Sequence, residues 1–226
     1  MLMKIEGIEY DYSGDVFIDI GGNIGMWTTL IGSYYTKILF IEPSQIAMVK
    51  AKENITKANL IDRVTFIKKI CSNIDGEKKS ITASCQDSGN FSVFGKELYD
   101  QANIVLSEDN IETMTLDSLI DGIEPGSRVT VKIDTEGSEL NVLLGAKEFI
   151  KKFRPVIVLE THYHMHYDAK KEKEILGFLN NENYSIRESK MLDYKNNPGR
   201  IYDGKHNGEQ MYNMHYHMLL DPNNRL

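Results

Sequence analysis

Three features of this 226-residue chain predict an α/β domain with a mostly parallel central sheet. Residues 16–20, 37–41, 129–133 and 156–159 are short, almost continuously apolar runs, the pattern of strands covered on both faces. Segments with helical spacing of apolar residues follow these runs, so strand and helix alternate along the chain. A glycine cluster, Gly21, Gly22 and Gly25, marks a sharp turn between the first strand and the first helix.

The elements follow in order. Residues 16–20 form the first strand, and residues 26–35 are apolar enough for a helix packed on the sheet. Residues 37–41 form a second buried strand ending at Glu42 and Pro43. Ser44 is placed to cap a helix reaching Lys57, with Ile46, Val49 and Ala51 inward and lysines outward. Residues 63–70 read as a third strand. From Cys71 to Met114 the pattern loosens into Gly, Ser and Asn, with residues 81–83 and 91–94 set to pair as a hairpin. This stretch, about residues 72–114, is read as an insertion or lid. Thr115 is a candidate cap for a helix around residues 116–120. Residues 129–133 are the fourth strand, and residues 138–152 a helix with Leu140, Leu143, Leu144 and Ile150 at helical spacing. Pro155 opens a fifth strand that ends at Glu160. Residues 168–180 form a lysine-rich helix with Ile175, Leu176 and Leu179 on its apolar side. Residues 184–188 and 211–220 are the last strands, expected to pair antiparallel at one edge across a polar loop at 196–208. With no internal repeat or linker, residues 1–226 read as a single domain.

Composition narrows the class of function. Lys and Arg number 26 against 33 Asp and Glu, a net charge of −7 that argues against a protein tracking nucleic-acid phosphates. No run approaches the roughly 18 apolar residues of a membrane helix, so no membrane partner is expected. Lys4, Glu6, Glu9 and Asp11 stand where a signal peptide would be apolar. Two cysteines suit a reducing compartment, and a cytoplasmic location is expected.

The glycine turn carries the first chemical signal. Gly21, Asn23 and Gly25 let the backbone bend tightly and approach a ligand closely, since Asn tolerates positive φ better than other residues with side chains. Glu42 closes the next strand 23 residues after Asp19, near the spacing at which an acid accepts hydrogen bonds from a ribose diol. The Gly-x-Asn-x-Gly spacing is one residue tighter than that of dinucleotide sites. A carboxylate at Asp19 would repel a pyrophosphate but suits a ligand bearing an amino group and a sulfonium. Both points favour S-adenosylmethionine over NAD.

The string Phe17-Ile-Asp-Ile-Gly-Gly-Asn-Ile-Gly25, followed by Phe40-Ile-Glu-Pro43, Thr115-Leu-Asp117, Val131-Lys-Ile-Asp-Thr-Glu-Gly-Ser-Glu139, Arg154-Pro155 and Leu159-Glu160, resembles the FkbM-type methyltransferases over residues 15–160. The resemblance implies a class I methyltransferase fold: a Rossmann-like sheet of seven strands, one of them antiparallel, with helices on both faces. It implies S-adenosylmethionine as donor and a hydroxyl acceptor, often on a sugar or other natural product. It implies that Asp19, Gly21, Asn23, Gly25 and Glu42 line the donor site, with Cys71, Ser72 and Asn73 near the adenine. From about residue 161 the resemblance ends, and this C-terminal region is read as acceptor-specific.

A hydroxyl is a poor nucleophile until its proton is taken or a metal lowers its pKa. Asp134 and Glu136 alternate on leaving the fourth strand, and Glu160 and His162 on leaving the fifth. Asp134, Glu136 and His162 are therefore the candidate catalytic residues. Asp134, Glu160 and His162 are also a candidate Mg²⁺ or Mn²⁺ site, as in some sugar O-methyltransferases of similar fold. Glu139 reads as a favourable first-turn charge on its helix, and Trp27 and Phe91 as core. All six histidines follow residue 160. The expected function is O-methylation of a small-molecule or glycan acceptor, with nucleic acid disfavoured by the net charge. The competing readings are an NAD-dependent oxidoreductase and a non-catalytic adenosine-binding module.

Overall fold

The computed structural model describes residues 2–5, 8–84, 91–92, 105–162, 169–192 and 215–222. An N-terminal hairpin, β1 (Leu2–Ile5) and β2 (Ile8–Asp11), precedes β3 (Gly14–Ile20), α1 (Met26–Ile31), β4 (Tyr35–Ile41), α2 (Gln45–Lys57) and β5 (Val64–Ile67). Then come β6 (Ile70–Cys71), β7 (Lys78–Ser84), β8 (Phe91–Ser92), β9 (Val105–Met114) and a 3₁₀ turn at Asp117–Gly122. The remainder is β10 (Val129–Ile133), α3 (Glu139–Leu144), α4 (Lys147–Phe153), β11 (Val156–His162), α5 (Ala169–Asn181), β12 (Tyr184–Leu192) and β13 (His215–Pro222).

The main sheet has seven strands in the order β12-β13-β11-β10-β3-β4-β5, and β13 alone runs against its neighbours. The chain steps outward from β3 to β4 and β5, then returns to lay β10 and β11 on the other side of β3. The order therefore reverses between β3 and β10, which opens a crevice at their carboxyl ends.

Strand alternation sorts the core. Val16, Ile18, Ile20, Val131, Ile133, Ile157 and Leu159 pack on one face against Val142, Leu143, Phe149 and Ile150 of α3 and α4 and against Ile175 and Leu179 of α5. On the other face Phe17, Ile38 and Val158 meet Trp27 and Ile31 of α1. Phe40 meets Met48, Ala51 and Ile55 of α2 there. Both faces are covered, which is why the strands read as unbroken apolar runs.

Several expectations are corrected. The first helix stops at Ile31 and tightens into a 3₁₀ turn, because Tyr35 already belongs to β4. Ser44 does cap α2, its hydroxyl accepting from the Ala47 amide at 3.2 Å, but the helix phase turns Ala47, Met48, Ala51 and Ile55 inward. Ile46 and Val49 are 55% and 48% exposed. The third strand is two: β5 stays in the main sheet, while β6 pairs with β9 in a second sheet ordered β6-β9-β7-β8. The β7–β8 pairing falls where the hairpin was expected, joining Thr82 to Ser92 and Ala83 to Phe91. Of the last two strands, β12 and β13 pair antiparallel as expected, while the loop at 196–208 lies outside the described residues.

The helix expected over residues 138–152 breaks at Gly145 and Ala146. A Cβ on Gly145 would lie 2.1 Å from the Ser72 carbonyl oxygen, so the break lets the β6–β7 segment lie against it. The Gly145 carbonyl accepts from the Asp117 amide at 3.0 Å, and the Asp117 carboxylate accepts from Phe149 N–H at 2.7 Å to begin α4. Gly145→Ala is expected to lower unfolding free energy by about 1–3 kcal/mol through overpacking. Gly122→Ala, with nothing within 4 Å of the added atom, should be near neutral. Urea unfolding of the two variants checks this contrast.

Candidate functional site

At the switch point, the ends of β3, β4 and β10 and the start of β6 enclose an open cleft. Its first wall is the turn after β3. Gly21 has φ +73°, and a Cβ there would lie 1.7 Å from the Asp134 carbonyl oxygen, so only glycine lets β3 and β10 end side by side. Asn23 takes φ +48°, and its amide donates to Glu42 Oε2 at 2.9 Å. The Ser44 amide donates to Glu42 Oε1 at 2.8 Å. One carboxylate thus ties the glycine turn to the start of α2. Burial pushes the Glu42 carboxyl up to about 7, the two amide hydrogen bonds acting in the opposite direction. Each oxygen has used one acceptor direction, which leaves capacity for a ligand diol.

Asp19 lies behind this wall rather than in it. It is 2% exposed, and its Oδ2 accepts from Thr28 Oγ1 at 2.7 Å, tying β3 to α1. Burial raises its carboxyl to about 6, opposed by the Thr28 hydrogen bond and by the charge of Lys132. Lys132 is its register partner on β10.

The wall formed by β10 is charged. Lys132 is 1% exposed and its Nζ stands 3.0 Å from Asp134 Oδ2, 3.3 Å from Glu160 Oε2 and 5.5 Å from the centre of the Trp27 ring. Asp134 and Glu136 line the cleft, while Glu160 is buried behind them. Glu136 holds φ +50°, followed by Gly137 at +101°. Glu139 turns back to accept from the Gly137 amide at 2.8 Å, so this buried carboxylate staples the loop that presents Glu136.

The far wall is Lys69, Ile70 and Cys71. Burial pushes the Cys71 thiol up to about 12, so it is a neutral, weakly polar surface and not a nucleophile. Ser72 sits beneath, its amide donating to the Met114 carbonyl at 2.8 Å. Beside Pro43, Glu108 of β9 accepts from Gln45 N–H at 2.7 Å and pairs with Lys68 at 3.0 Å, fastening the small sheet to the start of α2.

Of the residues nominated from sequence, Gly21, Asn23, Glu42, Asp134 and Glu136 line one cleft. Asp19, Gly25, Ser72 and Glu160 stand outside that lining. His162 ends β11, at the position paired with His215 of β13, and its side chain lies outside the described residues. His164, His166 and His206 lie outside them altogether, as does the Phe91 side chain. Among the described residues no group of three or more His, Cys, Asp or Glu is arranged to hold a metal ion. Lys132 and Lys69 were not nominated. The signal for Lys132 was a lysine in the middle of a strand covered on both faces, where a charge needs buried partners.

The sheet order, the single reversed strand and the cleft at the switch point define a Rossmann-like fold of the class I methyltransferase type. The family model for the methyltransferase FkbM domain matches residues 19–186, and the chain belongs to that family. A proposed rRNA methylase from Clostridium thermocellum shares the fold with a TM-score of 0.52 at 12% identity, covering 92% of this chain and 87% of that one. The methyltransferase FkbM from Methylobacillus flagellatus KT aligns with a TM-score of 0.49 at 16% identity over 93% of this chain. This chain spans 44% of that protein's length. A comparison with curated proteins gave no match.

The burial of Asp19 has a measurable cost. Its raised carboxyl means that stability is fully present below the unfolded value of 3.8 and is lost as pH rises through about 6. Asp19→Asn keeps an acceptor for Thr28 and removes the ionisation. Between pH 4 and pH 7 the wild-type chain is expected to lose stability relative to this variant, by at most about 3 kcal/mol. Urea unfolding of both proteins across that range is the measurement, and a flat difference would refute it.

Proposed function

We propose that this protein is an S-adenosylmethionine-dependent O-methyltransferase whose acceptor is a hydroxyl on a sugar or glycan. The observation that carries the reading is a cleft lined by three carboxylates, Glu42, Asp134 and Glu136, placed on two facing walls. The donor site residues fit their ligand. Glu42 retains acceptor capacity for a ribose diol, the Gly21 backbone allows close approach, and the neutral Cys71 with Ile70 offers a surface for a ring. Acidic walls suit a ligand carrying an amino group and a sulfonium, and oppose the pyrophosphate of NAD.

When bound, the donor supplies an electrophilic methyl group on a positively charged sulfur. Glu42 holds the diol and so sets the position of the donor in the cleft. Asp134 and Glu136 are the carboxylates placed to take the proton that the acceptor oxygen gives up as it gains the methyl group. An uncharged polyol enters such a site more readily than a phosphate chain, which supports a sugar over a nucleic acid. A cytoplasmic place of action belongs to the same proposal, supported by the free Cys71 thiol. No described helix is long and apolar enough to cross a membrane. The version of this reading in which Mg²⁺ or Mn²⁺ on Asp134, Glu160 and His162 assists the transfer is not supported by the geometry, because Lys132 already stands between two of those carboxylates.

Calorimetric titration with S-adenosylhomocysteine tests the proposal, with NAD as the control. Saturable binding of the former and none of the latter is expected. Glu42→Ala orphans the Asn23 and Ser44 amides as well as the diol, so it should weaken binding tenfold or more and lower stability by about 1–3 kcal/mol. Binding of NAD in place of S-adenosylhomocysteine would transfer the protein to the oxidoreductase class. Normal binding with no methyl transfer to any sugar acceptor would favour the adenosine-binding module.

A further inference from the structure

The charge balance beneath the cleft carries a further inference, which rests on the transfer reading above. Asp19 comes from β3, Asp134 from the end of β10 and Glu160 from β11, and all three face one cation, Lys132. Glu42, at the end of β4, adds its field to that of Asp19 and Asp134. From α1, the elements packed on this face contribute the Trp27 ring and the Thr28 hydroxyl, neither of them charged. By register, β13 brings His217 opposite Glu160.

Carboxylates converging at the ends of two parallel strands would ordinarily read as a divalent cation site. Here Nζ of Lys132 lies 3.0 Å from one carboxylate and 3.3 Å from the other, at 1% exposure. A metal bridging Asp134 and Glu160 would have to displace an ammonium that is already buried between them. The residues present therefore do not fit a divalent cation.

We propose that Lys132 is a built-in cation and the positioning residue of the transfer site: its ammonium holds the Asp134 carboxylate at the cleft wall, in the place a divalent metal would take. The lysine touches neither substrate nor cleft, and acts through Asp134. It also explains why a lysine stands in the middle of a doubly covered strand. An ammonium on a four-carbon stem reaches the strand end from inside the sheet, where it cannot be lost to solvent or chelator.

Two measurements test this. In the first, thermal unfolding of the wild-type chain is followed with millimolar Mn²⁺ and with EDTA, and no shift is expected from either. A rise in midpoint with Mn²⁺ that disappears in Asp134→Asn would overturn the proposal, since a metal would then be displacing the ammonium. In the second, Lys132→Arg and Lys132→Met are compared. Arg keeps the charge and is expected to retain kcat within about tenfold. Met is expected to lower kcat a hundredfold or more, with the donor KM changed far less, because the Asp134 carboxylate loses the ammonium at 3.0 Å that positions it. Equal kcat in the Met and Arg variants would overturn the assignment. Should the Met variant fail to fold, the Mn²⁺ arm on the wild-type chain still decides. Failure of the wild-type chain to bind S-adenosylhomocysteine would instead remove the methyltransfer reading, and the Mn²⁺ arm would stand apart from it.

Discussion

The sheet is organised around one buried ammonium. Three carboxylates on three adjacent strands, Asp19, Asp134 and Glu160, converge on the face that α1 covers, and Lys132 is the cation among them. Burying an ion pair is a poor source of net stability, because desolvation offsets most of the attraction. Removing one partner is another matter, since an uncompensated charge inside a protein costs several kcal/mol. The strands are therefore committed to one register. A slip of β10 against β3 would separate Lys132 from Asp19 and turn the lysine towards the apolar layer of α3 and α4.

That commitment shapes the cleft. With β3 and β10 locked side by side, their ends meet where Gly21 passes the Asp134 carbonyl with no room for a side chain. The turn that follows has to be fastened from outside, and Glu42 does so through the Asn23 and Ser44 amides. Glu139 performs the matching task on the opposite wall by holding the loop at Gly137. Two buried carboxylates thus act as backbone clamps, one on each side of the crevice. Asp134, paired with Lys132, and Glu136 line the space between them.

Most of the sheet was legible in the sequence because burial on both faces leaves a contiguous apolar signature: residues 129–133 match β10 at both ends. Glu42 and the glycine turn were legible for a related reason, since tight turns admit few residue types. What escaped notice depended on partners distant in sequence. The phase of α2 is set by its contact with Phe40, and Ile46 and Val49 are as apolar as the residues that do face inward. The long strand β9 is largely polar: of its described side chains, Ile111 joins a small cluster with Ile70 and Ile81 and Met114 reaches the main core, too little for a periodic signal. The break at Gly145 exists because Ser72 lies against it, 73 residues earlier in the chain. Asp19 looked like a ligand contact because spacing locates a strand end but not the helix hydroxyl that occupies its carboxylate. Lys132 is masked in the sequence by the apolar run around it, which reads as a strand and nothing more.

The contrast between carboxylates that clamp the backbone and carboxylates that line the cleft bears on turnover under the proposed function. A cleft lined by acidic groups attracts a donor whose sulfur is positive, and attracts the product less, because methyl transfer leaves that sulfur neutral. Complete neutralisation of the site would remove this difference, and an uncompensated excess of buried carboxylates would unfold it. The single ammonium at Lys132 lies between these limits: it balances the charges inside the sheet while the cleft surface stays acidic. The charge that permits the strands to close is thus also what leaves the cleft surface acidic, so the fold and the electrostatics of the cleft have one origin.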